Sequence, residues 1–192
     1  MRKAFAITAL FVCLAIGGAV VAINSSPFGA FGASSASRSV SCPAAASVNV
    51  GGITVPAGPI AGYCQDRLIN AAYIMNAARA QGIGTHTQAV GVMTAMGESG
   101  LRVLDYGDAA GPDSRGLFQQ RDNGAWGTLA DRMDPSISAT NFFNKLTSLD
   151  GWQTMAPTEA AHAVQVNDDP NHYAPYWAGA QAIVAALAPV GS

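Results

Sequence analysis

Residues 89–100 read AVGVMTAMGESG, an apolar run that ends in a carboxylate flanked by small residues, Glu98. The run is apolar on nearly every side at helical spacing, which predicts a helix buried in the centre of the fold. Glu98 would then lie at the C-terminal end of that helix, where the macrodipole disfavours negative charge. Burial against Met93 and Met96 disfavours the charged form as well, so we predict a raised pKa and a carboxyl group that stays protonated near neutral pH. A solvent-exposed glutamate at a helix end is the alternative interpretation.

Further helices are predicted on both sides of this segment. Hydrophobic periodicity predicts them over residues 66–79, from 135 to about 151, over 158–164 and over about 175–187. Thr85 or Thr87 is the predicted N-cap of the central helix. Asp134, followed by Pro135 at the first helical position, is the predicted N-cap of the helix at 135–151, and Thr158 that of the helix at 158–164. Since no long stretch alternates with period two, the fold class is all-α, with at most a small hairpin in the glycine-rich middle.

The N-terminal residues predict export. Arg2 and Lys3 precede an uncharged, largely apolar stretch up to Ile23, which is typical of a secretory signal peptide or an uncleaved membrane anchor. A buried core helix is the alternative. Residues 24–62 are rich in Ser, Ala, Gly and Pro and predict a linker, with short extended segments at 48–50 and 53–55. The compact domain is expected over 63–190.

Composition and cysteine content narrow the function classes. The 192 residues carry 10 basic and 12 acidic side chains, and only 11% of them are charged. The net charge therefore does not indicate a protein that binds nucleic acid. Cys13 lies in the leader, whereas Cys42 and Cys64 form an even pair that is typical of a disulfide in an oxidising compartment. Two free thiols are the alternative. No cofactor or metal is expected, because the stretch 168–172 lacks any recognised ligand spacing.

The glycine-rich stretch 97–127 is dense in polar groups and predicts functional loops on a helical scaffold. Gly97-Glu98-Ser99-Gly100-Leu101, followed by Ser114-Arg115-Gly116-Leu117-Phe118-Gln119, resembles the lytic transglycosylases and goose-type lysozymes of the lysozyme-like superfamily. With Gln120-Arg121 and Trp126-Gly127 added, the run is similar to exported transglycosylase-like domains of actinobacteria. The resemblance covers roughly residues 89–177.

This resemblance implies cleavage of the β-1,4 bond between N-acetylmuramic acid and N-acetylglucosamine in peptidoglycan, with Glu98 as general acid and base. In the transglycosylase version the substrate's acetamido oxygen supports the positive charge and a 1,6-anhydro product forms. In the hydrolytic version a second carboxylate positions water, and the candidates are Asp105, Asp108 and Asp113. Of the two versions, we expect the transglycosylase.

The resemblance also implies substrate-binding roles. Gln119 and Gln165 would hydrogen-bond N-acetyl or hydroxyl groups, and Ser114 would support Glu98. Independently of the resemblance, Tyr106 and Tyr173 are the aromatic residues expected to stack on sugar rings. For each of them an ordinary polar or core position is the alternative. Val164 stands where the better-known enzymes have a tyrosine that helps to hold the sugar. A catalytically inactive, exported wall-binding or assembly module on the same fold is therefore the second functional hypothesis. In either case we expect a monomer that binds glycan strands and contacts the membrane only through an uncleaved N-terminus.

Overall fold

The computed structural model describes residues 40–188, and these form a mainly helical unit. Its elements are β1 (Val48–Val50), β2 (Ile53–Val55), α1 (Gln65–Ala80), α2 (Thr85–Ser99), α3 (Leu129–Met133), α4 (Pro135–Thr147), α5 (Pro157–Gln165) and α6 (Trp177–Leu187), with short 3-10 turns at Trp152–Thr154 and Ala174–Tyr176. The mainly helical fold class is confirmed. The predicted leader, with Cys13 and the linker up to residue 39, lies outside the described residues.

Helix α2 is the buried centre of the unit, as its composition predicts. Its residues from Gln88 to Met96 are all buried, and it packs against α1 on one side and α6 on another, while α1 also packs against α4. A helix with neighbours on several sides needs apolar groups around its whole circumference. Its last turn carries Glu98 and ends at Gly100, whose left-handed backbone lets its N–H bond the Met96 carbonyl at 3.0 Å.

One of the three predicted N-caps is confirmed, and the other two are wrong. Asp134 caps α4 by accepting from the backbone N–H groups of Ser136 and Ile137 at 2.8 Å each, with Pro135 in the first turn. The predicted caps of α2 and α5 are wrong, because Gly84 and Ala156 occupy those positions. Thr158 lies inside α5, where its hydroxyl donates to the Pro170 carbonyl at 3.1 Å instead.

A β-hairpin occupies part of the segment whose composition predicts a linker. β1 and β2 pair antiparallel, with Val48 opposite Val55, and the side chains of Ile53 and Val55 are fully buried in the helical core. The compact unit therefore begins before residue 63. In the glycine-rich middle, where the sequence allows a small hairpin, there are isolated antiparallel bridges, Leu104 to Gly116 and Arg115 to Gln120.

The predicted disulfide between Cys42 and Cys64 is confirmed, with Cα atoms 5.4 Å apart. It ties the residues before the hairpin to the start of α1. Disulfides persist mainly in oxidising compartments, so this bond is consistent with an exported protein. Between residues 40 and 188, no helix has the length and apolar character needed to cross a membrane.

Candidate active site

A cleft of about 660 Å³ opens beside the end of α2. One wall is the glycine-rich loop, which contributes Tyr106, Asp108, Ser114 and Gln119, and the other is the segment after α5, which contributes Asn167 and His172. Glu98 lies between the two walls. The cleft thus joins the glycine-rich polar loop to the segment that follows α5.

Ser99 fixes the end of α2 against the loop. Its side chain is buried, its hydroxyl oxygen lies 2.8 Å from the Leu117 carbonyl oxygen, and it accepts from the Arg102 backbone N–H at 3.1 Å. Gly116 lies beside Leu117 with a φ of +76°, and a Cβ there would collide with the Arg132 carbonyl oxygen. Only glycine fits both this conformation and this approach. The Ser99 hydroxyl therefore joins the Glu-Ser motif to the Ser-Arg-Gly-Leu motif, and Gly116 lets the second motif lie against Arg132.

Glu98 is half-buried, and burial raises its pKa above the usual value for a glutamate. The hydroxyl of Tyr173, the amide of Gln165 and the imidazole of His172 favour the ionised form and oppose this rise, while the charge of Asp108 adds to it. Desolvation is the largest of these effects. The predicted direction of the Glu98 pKa is confirmed, and the carboxyl group borders an open cleft rather than bulk solvent.

Tyr173 has a different role from the predicted sugar stacking. The residue is 0% exposed, so its ring offers no face to a ligand, and the stacking prediction is wrong. Its hydroxyl donates to Glu98 Oε1. The ring packs over Gly97, where a Cβ would lie 2.8 Å from Tyr173 Cδ1. The absence of a side chain at Gly97 thus brings Tyr173 up to the neighbouring carboxylate.

Two residues for which the sequence predicted no site role hold the Tyr173 hydroxyl, Asn167 directly and His162 through Asn167. Asn167 Nδ2 donates to that oxygen at 2.7 Å, and Asn167 Oδ1 lies 2.9 Å from His162 Nδ1. His172 was also missed as a site residue; it borders the cleft, with Nε2 3.4 Å from the Gly97 carbonyl oxygen. All of these residues lie more than 60 positions from Glu98 along the chain. The polar turn at 168–172 includes His172, but no sequence signal singled out Asn167.

The remaining predicted binding residues border the cleft but differ in how available their side chains are to a ligand. Tyr106 is 57% exposed and borders the cleft, so its ring is available to a ligand. Gln119 and Gln165 also border it, with their amides donating to the carbonyls of Gly116 at 3.3 Å and Phe118 at 2.7 Å. Ser114 is buried in the loop wall. Among the described residues its hydroxyl makes no hydrogen bond to Glu98, so the structure gives no direct support to that predicted role.

Only one of the three candidate second carboxylates borders the cleft. Asp108 borders the cleft, and its Oδ1 accepts from the backbone N–H groups of Ala110 at 3.0 Å and Gly111 at 2.7 Å. Asp113 is paired with Arg121 at 2.7 Å, and that bond lowers the pKa of Asp113 to about 2. Neither Asp113 nor the exposed Asp105 borders the cleft. Asp108 is thus the one predicted partner that shares the cleft with Glu98.

Within residues 40–188, no group of three or more His, Cys, Asp or Glu side chains converges in a way that would hold a metal ion. No family model matches the chain, and a search of curated proteins finds no match. The resemblance to lysozyme-like enzymes therefore rests on the motifs around Glu98 and Gly116.

Proposed function

We propose that this domain is an exported, lysozyme-like glycosidase that cleaves the MurNAc-β-1,4-GlcNAc bond of peptidoglycan, with Glu98 as general acid and base. The observation that carries the proposal is a half-buried carboxyl group with a raised pKa at the border of a cleft, held by the hydroxyl of a buried tyrosine. A general acid must be protonated near the working pH and must face its substrate. Desolvation moves the pKa of Glu98 in the direction that the first condition requires, and its place in the cleft supports the second.

In the first step, Glu98 gives its proton to the glycosidic oxygen as the bond from C1 of MurNAc to that oxygen breaks. Because Tyr173 donates to Oε1, Oε2 is the oxygen that carries the transferred proton. The MurNAc acetamido oxygen attacks C1 and takes up the positive charge, so no enzyme nucleophile is consumed; such substrate assistance is an established exception to the two-carboxylate pattern. The Tyr173 hydrogen bond stabilises the carboxylate left behind.

In the second step, ionised Glu98 takes the proton from the 6-hydroxyl of the same MurNAc. The O6 oxygen then attacks C1 and displaces the acetamido oxygen, which gives a 1,6-anhydro product and restores protonated Glu98. The cycle consumes no water and no external proton. Asp108 supports a hydrolytic version, in which it would position water, but its Oδ1 already accepts two backbone N–H bonds. We therefore favour the lytic transglycosylase, acting as a monomer on glycan strands.

The second candidate is a catalytically inactive wall-binding or assembly module. Val164 favours it, because this buried side chain replaces the tyrosine found in the better-known enzymes. The Tyr173 hydroxyl bonded to Glu98 favours the enzyme, since it brings a phenol to the acid from another part of the chain.

The decisive experiment measures the release of soluble muropeptides from purified peptidoglycan, with mass analysis of their ends. Wild type should release 1,6-anhydro muropeptides, and Glu98→Gln should release them about 10²–10⁴-fold more slowly. Glu159→Gln is the matched control, because Glu159 is the only other glutamate in the chain and lies exposed at the start of α5. Reducing ends instead of anhydro ends would establish hydrolysis. Binding to peptidoglycan without release by a folded wild-type protein would establish the inactive module.

A further inference from the structure

A chain of hydrogen bonds runs from His162 through Asn167 and Tyr173 to Glu98. His162 Nδ1 lies 2.9 Å from Asn167 Oδ1, Asn167 Nδ2 lies 2.7 Å from the Tyr173 oxygen, and the Tyr173 hydroxyl reaches Glu98 Oε1. The directions follow from the chemistry of each group. An amide nitrogen only donates, so the Tyr173 oxygen accepts from Asn167 and its own proton is free for Glu98. The amide oxygen only accepts, so His162 Nδ1 carries a hydrogen.

The backbone changes direction just before Asn167. Helix α5 ends at Gln165, and Val166 follows in the left-handed region with a φ of +54°. A β-branched residue rarely adopts that conformation. It ends the helix so that the next side chain, Asn167, lies against Tyr173 rather than continuing along α5. Strained backbone of this kind tends to occur at functional sites.

We propose that Asn167, supported by His162, is a positioning residue that fixes the Tyr173 hydroxyl as a permanent hydrogen-bond donor to Glu98. A tyrosine hydroxyl can rotate, and it donates to whichever acceptor is available. By presenting only a donor, Asn167 leaves Glu98 as the acceptor. The catalytic significance of this arrangement rests on the proposed function, whereas the arrangement itself can be tested without any activity.

The chain offers a simple probe, because it contains only two glutamates, Glu98 and Glu159. Uniform incorporation of glutamate labelled with ¹³C at the side-chain carboxyl gives two NMR signals, and Glu98→Gln identifies the Glu98 signal. Asn167→Asp keeps the shape of the side chain but presents acceptors to Tyr173. The Tyr173 hydroxyl then turns toward the introduced carboxylate, Glu98 loses its donor, and the Glu98 titration midpoint should rise by about one pH unit.

Two comparisons separate this effect from the added negative charge. Asn171→Asp places a carboxylate on the same segment without a hydrogen bond to Tyr173, and it should raise the Glu98 midpoint much less. Tyr173→Phe removes the hydroxyl, so Asn167→Asp should have a clearly smaller effect in that background. The other charged or titratable groups along the cleft, Arg102, Asp108, Arg121, Asp168 and His172, are the same in all of these variants. Equal shifts by Asn167→Asp with and without the Tyr173 hydroxyl would overturn the proposal.

His162 provides a second route if Asn167→Asp fails to fold. The variant His162→Asn can present an N–H near the place of Nδ1, so it should keep the wild-type Glu98 titration, while His162→Leu should raise the midpoint. Identical titrations for these two variants would also overturn the proposal. Muropeptide release measured on the same samples keeps the two questions apart. A shifted Glu98 titration without any release by wild type would refute the enzyme but not the positioning role, and release with an unshifted titration would refute the positioning role alone.

Discussion

Loss of the Cys42–Cys64 disulfide should destabilise the folded unit by an amount that follows from the loop it closes. The two cysteines are 22 positions apart, and the loop-entropy relation gives about 3.4 kcal/mol at 25 °C for a loop of that length. The loop contains the β-hairpin, whose Ile53 and Val55 are fully buried. For a unit of this size, each kcal/mol corresponds to roughly 2–4 °C, so we expect the melting temperature to fall by roughly 7–14 °C.

The assay is calorimetry of the Cys42→Ser/Cys64→Ser variant against wild type. Hydrogen exchange over residues 43–63 should accelerate more than exchange in α2, because the hairpin is the part that loses its tether. A melting temperature within about 2 °C of wild type would refute the reasoning. It would mean that burial of the hairpin side chains alone constrains the segment.

Two further predictions concern stability. Since burial raises the pKa of Glu98, the unfolded carboxyl ionises first as pH rises, and wild type loses stability through that range. Glu98→Gln should therefore be no more stable than wild type below about pH 4 but more stable at pH 7, by about 1.4 kcal/mol for every pH unit by which the folded pKa exceeds the unfolded pKa. Urea unfolding at both pH values measures this, and a difference that does not change with pH would contradict it. Gly116→Ala should cost about 2–4 kcal/mol, because a Cβ there meets the Arg132 carbonyl oxygen. Gly124→Ala, at a similar φ of +81° with nothing within 4 Å, should cost only about 1–2 kcal/mol; equal costs at the two positions would show that the close approach is unimportant.

The helices that the sequence predicted well are those with a strong local signal. The buried residues of α1 and α4 recur at helical spacing, and the Asp134-Pro135 pair marks the start of α4. The five-residue α3 was too short for periodicity to detect, although Thr128 and Asp131 form a capping box that the sequence displays. The sequence predicted the extended segments of the hairpin but not their burial, because each strand has three residues in a segment rich in Ser, Ala and Gly. That burial depends on helices that lie far away in sequence.

The features of the candidate site also divide into those that local sequence predicts and those that depend on the folded structure. The raised pKa of Glu98 follows from the apolar residues just before it, so local sequence was sufficient. The place of Asp108 in the cleft, and its separation from Asp105 and Asp113, required the folded loop. The Tyr173 contact could not be foreseen, because a buried phenol and a stacking phenol look identical in sequence. Three-dimensional packing against Gly97 decided between them.

The acid and its hydroxyl partner are separated by 75 positions, and this limits how the chemistry can be transplanted. A graft of α2 with its following loop onto another scaffold would carry the carboxylate and one cleft wall but leave the phenol behind. Likewise, a chain cut anywhere between residues 121 and 173 would keep both motifs around Glu98 while lacking the group that steadies it. An engineer who wants this site must move the segment around Glu98 and the segment around Tyr173 together.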